Sequence, residues 1–124
     1  MNARITSIVA AALGFIGVSL GAFGAHSLRS FLVTSGHIET YELATRYLFY
    51  HITTLLFIGI YNRQQELKLL KHSALSFAVG VFLFSGSLYT LSLSGITKFG
   101  IITPIGGVFL LVGWTLLVAG LIKK

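Results

Sequence analysis

Residues 5–25, ITSIVAAALGFIGVSLGAFGA, contain no charged side chain. A stretch of this length reaches the roughly 20 residues that a helix needs to cross a hydrocarbon core of about 30 Å. In lipid, a helix satisfies its backbone hydrogen bonds within the segment itself. The stretch therefore predicts a first membrane-spanning helix, over residues 5–26. The small residues at 22–25 also fit the end of a secretory signal, but we expect the segment to be retained as a helix.

The composition of the whole chain also indicates a membrane protein. Of its 124 residues, 55% are hydrophobic and only 10% are charged, whereas soluble domains carry about 25% charged residues. The length suits one domain, residues 1–124. The formal net charge is +6, but the basic residues lie mostly between and after apolar segments, which favours membrane topology over nucleic-acid binding. The absence of cysteine excludes disulfides and thiolate chemistry.

Three further apolar segments predict spanning helices over residues 40–61, 73–93 and 103–122. The second helix is the weakest of the four. Its uncharged part, residues 47–61, spans only if the helix begins near Tyr41, which brings Glu42 and Arg46 into the edge of the membrane. In the fourth helix, Pro104 suits the first turn with Thr103 as N-cap. The predicted fold is an all-α membrane protein, a bundle of four transmembrane helices.

The basic residues predict the orientation of this bundle. Four crossings leave Arg29, Arg46 and Lys98 on one side of the membrane. The other side holds the larger group: Arg4, Arg63, Lys68, Lys71, Lys123 and Lys124. Because cytoplasmic loops are enriched in Lys and Arg, we expect both termini in the cytoplasm and a multi-pass protein of the plasma (inner) membrane.

Glycines recur at helical spacing inside two of the apolar segments. They are Gly14, Gly17, Gly21 and Gly24 in the first, and Gly106, Gly113 and Gly120 in the fourth. Small residues let helix backbones approach closely in lipid. We expect these rows to pack against neighbouring helices of the same chain, with self-association of two chains as the alternative.

Polar residues in the second helix form a stripe of Glu39, Glu42, Arg46, Tyr50 and Thr53 at helical spacing. We expect this face to avoid lipid. By depth, polar residues of all four helices are predicted to line one outward-facing pocket: His26, Arg46, Tyr50, His51, Ser85, Ser87, Tyr89 and Thr103. An ionisable residue at such depth is a candidate for function. The alternative is that these side chains hold the helices together by hydrogen bonds.

Several specific chemistries lack the residues that they require. A zinc site needs three or four ligands, whereas only His26 and His51 lie in membrane segments, at different depths, which also argues against haem. Small proton-coupled exporters have a buried carboxylate in their first helix, and residues 5–25 have none. No catalytic motif is present. We predict no catalytic residue, no metal and no cofactor.

Four ordered motifs carry a resemblance that covers essentially the whole chain. They are GAFGAH at 21–26, RYLFYH at 46–51, FSGSLY at 84–89, and ITPIGG at 102–107 followed by Gly113-Trp114. In these motifs the chain resembles the domain-of-unknown-function 423 (DUF423) family of small membrane proteins. The resemblance implies a four-helix inner-membrane protein and supplies no activity.

The sequence thus leads to three hypotheses for function. The first is an accessory protein that binds another membrane protein or a lipid through its glycine-lined faces and polar pocket. The second is an oligomeric transporter or channel for a small solute or ion that uses His26, Arg46, His51 and Tyr89. The third is a membrane enzyme acting on lipid through His26 or His51.

Overall fold

The computed structural model describes residues 1–123, which form five α-helices and one short 3₁₀ helix. These are α1 (Ala3–Ala25), α2 (Arg29–Ser35), α3 (Ile38–Gln65), α4 (Lys68–Ser94), the 3₁₀ helix (Thr97–Ile101) and α5 (Ile102–Lys123). By length and composition, α1, α3, α4 and α5 are able to cross a membrane. The predicted all-α fold with four spanning helices is confirmed. The side on which the termini lie stays a prediction, and Lys124, counted toward it, lies outside the described residues.

Local signals in the sequence set several helix ends. The Asn2 side chain accepts a hydrogen bond from the Ile5 N–H and caps α1. Gly36 and Gly95 end α2 and α4 with φ of 78° and 75°, a left-handed conformation that glycine adopts at little cost. We call the end of the bundle that holds Ala25, α2, Ser94 and the 3₁₀ helix the Lys98 end.

The connection between α3 and α4 is much shorter than residues 62–72, the gap left between the second and third predicted helices. Only Glu66 and Leu67 separate the two helices. The Asn62 side chain closes this turn, because its amide donates to the Leu67 carbonyl at 3.2 Å and its oxygen accepts from the Leu67 N–H at 2.6 Å. The two helices therefore form a short helical hairpin.

The spanning helices pack in chain order, α1 on α3, α3 on α4 and α4 on α5. The most extensive packing joins α4 to α5. Serine hydroxyls strengthen two of these contacts. Ser73 and Ser76 of α4 donate to the Gly113 and Phe109 carbonyls of α5 at 2.7 and 2.6 Å, and Ser85 donates to the Ala44 carbonyl of α3 at 2.8 Å.

Glycines lie where the backbones come closest. On α5, a Cβ at Gly106 would be 2.8 Å from the Phe84 Cα, and one at Gly113 would be 2.7 Å from the Phe77 ring. Gly120 faces Leu70 in the same way. On α1, the glycines face four residues of α3, which are Ile52 for Gly14, Phe49 for Gly17, Thr45 for Gly21 and Tyr41 for Gly24. These glycine rows therefore pack against neighbouring helices of the same chain.

Two local predictions differ from the structure. Thr103 was expected to cap the fourth helix, but α5 already begins at Ile102, directly after the 3₁₀ helix. The Thr103 hydroxyl instead lies 2.6 Å from the Ser87 hydroxyl of α4. The second spanning helix begins at Ile38, three residues before Tyr41. Its 28 residues extend about 42 Å, which is longer than a hydrocarbon core of about 30 Å.

We expect Gly106→Ala to destabilise the protein, because the new methyl group meets the backbone of α4, which cannot move aside. Overpacking of this kind costs about 1–3 kcal/mol. The measurement is the free energy of unfolding in mixed micelles, followed by helical circular dichroism. Gly86→Ala is the matched control, since a Cβ at Gly86 has nothing within 4 Å. Equal stability of the two variants would contradict the packing of α4 on α5.

Candidate functional site

The polar stripe of α3 faces outward. Its members, Glu39, Glu42, Arg46, Tyr50 and Thr53, are all exposed, and Tyr50 is 57% exposed. The stripe therefore does not pack against other helices of the chain. The reason lies in the other faces of α3, which present the larger apolar set to α1 and α4: Tyr41, Ala44, Leu48, Ile52, Leu55 and Ile58, each at most 8% exposed.

Two members of the stripe lie deep enough to be affected by lipid. If α3 is centred in the membrane, about four residues protrude at each end. Arg46 then lies about 6 Å inside the hydrocarbon boundary and Tyr50 another turn deeper. Within residues 1–123, Arg46 has no carboxylate within 4.0 Å and the Tyr50 hydroxyl has no hydrogen-bond partner. Both groups are thus free to bond outside the chain.

Other members of the predicted pocket are used to join helices. The Tyr89 hydroxyl of α4 lies 2.6 Å from the Thr45 hydroxyl of α3. The Tyr89 ring packs edge-on against Tyr41 at 4.9 Å, and the Tyr41 hydroxyl donates to the Leu20 carbonyl of α1. Together with the bonds of Ser85, Ser87 and Thr103 described above, these contacts connect all four spanning helices.

His51 is also fully bonded inside the chain. Its side chain is buried, with Nδ1 2.7 Å from the Tyr47 carbonyl and Nε2 3.1 Å from Trp114 Nε1. The indole N–H can only donate, so Nε2 accepts and the proton of the neutral ring lies on Nδ1. The Phe77 and Trp114 rings pack around it at centroid distances of 5.4 and 5.8 Å. The imidazole therefore joins α3 to α5.

The predicted single pocket is not formed. His26 is exposed beyond the end of α1 and lines none of the cavities described here. Arg46 lines a depression of about 300 Å³ between α1 and α3, with Arg29 and Glu42. Tyr50 and His51 line a different groove. The sequence indicated how deep each of these residues lies in the membrane, but not the side of its helix on which it lies. Residues at similar depth therefore line different cavities.

A groove of about 930 Å³ lies between α3 and α5. The other residues that line it are Tyr47, Phe49, Thr53, Thr54, Phe84, Pro104, Gly107, Val108, Leu110, Leu111 and Trp114. None of these eleven was predicted as a site residue, although six of them belong to the motifs quoted above: Tyr47, Phe49, Phe84, Pro104, Gly107 and Trp114. In the described part of the chain, no three His, Asp or Glu side chains are placed to hold a metal ion.

Known proteins are similar in sequence to this chain over nearly its full length. The DUF423 family, described as proteins of unknown function, matches residues 20–107. A UPF0382 membrane protein of Staphylococcus saprophyticus is 41% identical over 120 residues, which cover 97% of this chain and 98% of that protein. The UPF0382 inner membrane protein YgdD of Escherichia coli K12 is 38% identical over 125 residues, covering 99% and 93%. No solved structure matches the chain.

These matches confirm the resemblance read from the four motifs, and they agree with the four spanning helices. The relatives are named as membrane proteins and carry no enzyme name. The predicted multi-pass location in the inner membrane is confirmed. The chain belongs to the DUF423 family and is an integral inner-membrane protein.

Proposed function

We propose that this protein is an accessory membrane protein that binds a membrane-spanning helix of another protein through the outward face of α3. One observation carries the proposal: Arg46 and Tyr50 lie exposed on that face, and neither the Arg46 guanidinium nor the Tyr50 hydroxyl has a bonding partner among residues 1–123. Every other polar residue of the predicted pocket except His26 is bonded between or within helices of the chain.

The energetics of lipid support this proposal. A charged side chain at the centre of a membrane helix costs about 2.5–3.5 kcal/mol on insertion scales. Arg46 reduces its cost by extending toward the interface. The Tyr50 hydroxyl lies deeper, and its ring is held beside Tyr47 at a centroid distance of 5.7 Å. A partner helix with an acceptor at this depth would satisfy it.

The charges of the face also favour a specific partner. Glu39 and Glu42 lie within two turns of the start of α3, and Arg46 follows one turn later. A partner with the opposite order of charges pairs with this face, whereas a partner with the same order is repelled. Such complementarity contributes selectivity more than affinity.

The alternative of an oligomeric transporter or channel has less support from the side chains. It relied on a cluster of His26, Arg46, His51 and Tyr89. His51 and Tyr89 already bond to partners within the chain, and His26 and Arg46 lie elsewhere. The polar path that transport requires would have to come from another assembly of residues.

Crosslinking at position 50 tests the proposed interface. We expect p-benzoylphenylalanine in place of Tyr50 to give a protein adduct in native membranes, because a partner helix lies against this face. The adduct should weaken when Arg46→Glu is added. The control carries the same crosslinker at Phe82 of α4, which is 77% exposed. Adducts with lipid only at position 50, or identical protein adducts at both positions, would contradict the proposal. An adduct of twice the chain mass would identify a second copy as the partner.

A double-mutant cycle tests whether His51 serves to join helices. We expect His51→Phe and Trp114→Phe to show a coupling energy of about 0.6 kcal/mol in unfolding, the average measured for hydrogen bonds between membrane helices, for which the maximum is about 1.7 kcal/mol. His26→Phe combined with Trp114→Phe is the control and should be additive, because His26 lies beyond the end of α1. Zero coupling between His51 and Trp114 would show that the bridge does not stabilise the fold.

A further inference from the structure

The groove between α3 and α5 is apolar in spite of its two threonines. The Thr53 hydroxyl donates to the Phe49 carbonyl at 2.9 Å, and the Thr54 hydroxyl donates to the Tyr50 carbonyl at 3.0 Å. Both hydroxyls are thus occupied by their own helix. The remaining walls are mainly aromatic and aliphatic. The volume of about 930 Å³ falls within the range of about 300–1,000 Å³ that ligand sites occupy.

Along α5 the groove covers about one half of the membrane, whereas along α3 its lining residues run from Tyr47 to Thr54, about one turn past His51. His51 is the fourteenth of the 28 residues of α3, so the hydrogen bond between Trp114 and His51 crosses from α5 to α3 near the membrane centre. On α5, the lining residues run from Pro104 to Trp114, a rise of about 15 Å. Half of a hydrocarbon core of about 30 Å has the same depth.

The groove is open toward lipid along this length. Pro104, Val108 and Leu111 of α5 and Tyr50 of α3 all line it and are exposed. A transmembrane helix needs a surface that continues across the whole membrane, which this groove does not offer. A hydrocarbon chain that enters from the Lys98 end reaches the membrane centre at Trp114, where the bridge to His51 limits further passage.

From this geometry we infer that the groove binds one acyl chain of a phospholipid from the leaflet at the Lys98 end. The inference is tested separately from the proposed partner of α3. The groove borders that face and shares Tyr50 and Thr53 with it, but Arg46 does not line the groove. The phospholipid fills the space that the close packing of α5 on α4 leaves beside α3.

The chain contains a single tryptophan, so the fluorescence of Trp114 reports on the groove directly. The protein is reconstituted in phosphatidylcholine vesicles whose acyl chains carry bromine either near the chain end or near the ester group. Bromine quenches tryptophan on contact. We expect stronger quenching of Trp114 by bromine near the chain end, because the indole lies near the membrane centre.

A groove-filling variant decides whether this quenching comes from a bound chain. At Gly107, a Cβ has only the Phe84 ring in contact, at 3.9 Å, so Gly107→Phe projects a ring into the groove. We expect this variant to lower the extent of Trp114 quenching, because the ring occupies the path along which the chain reaches the indole. It should also remove one lipid from the protein in native mass spectrometry.

Gly86→Phe is the matched control, because Gly86 lies on another face of α4, has open space around its Cβ and lines only a separate depression. It should leave quenching and lipid count unchanged. Unchanged quenching in Gly107→Phe, or an equal fall in both variants, would overturn the inference. If Gly107→Phe does not insert, Gly107→Leu fills the same space and is judged by the same two outcomes. Because Tyr50 lines the groove, a lipid adduct at position 50 agrees with the inference, and only a protein adduct there supports the proposed function.

Discussion

The close approach of α5 to α4 is the contact on which the rest of the structure depends. Gly106 lies against the backbone of Phe84, and Gly113 lies against the Phe77 ring. With no Cβ between them, the two helices reach the distance at which Ser73 and Ser76 donate to carbonyls of α5. Because α5 is held there, it stands away from α3. The groove between α3 and α5 and the single bridge from Trp114 to His51 both follow from that displacement.

The motifs that carry the family resemblance mark mainly the joints between helices. Gly24 meets Tyr41, Ser87 meets Thr103, and His51 meets Trp114. These residues are explained by folding alone. Arg46 and Tyr50 belong to the same motifs but are exposed, and the Arg46 guanidinium and the Tyr50 hydroxyl have no bonding partner among the described residues. Within the motif at residues 46–51, folding does not explain Arg46 and Tyr50, and these two side chains lie on the outside of the bundle.

Hydropathy was sufficient to predict the four spans, since lipid allows a long apolar segment few conformations other than a helix. Glycine spacing likewise indicated which faces of α1 and α5 pack. The pocket was harder, because depth along a helix can be read from the sequence while direction around it depends on tertiary packing. The stripe of α3 was expected inside and lies outside, because the opposite face, with residues such as Leu48 and Leu55, buries more apolar surface. Hydrogen-bond partners such as Thr103 for Ser87 depend on the relative register of two helices, which local sequence does not determine.

The two-residue turn between α3 and α4 bears on how the chain enters the membrane during synthesis. The best windows of the spanning helices have mean hydropathies of 2.1 for α1, 1.7 for α4 and 2.3 for the span ending in α5, but only 1.3 for α3. The least apolar helix is thus joined by Glu66 and Leu67 alone to the next one. A turn closed by Asn62 keeps the least apolar span directly beside α4. The hydropathy of the hairpin as a whole, and not that of α3 alone, therefore sets how favourably this pair of helices lies in lipid.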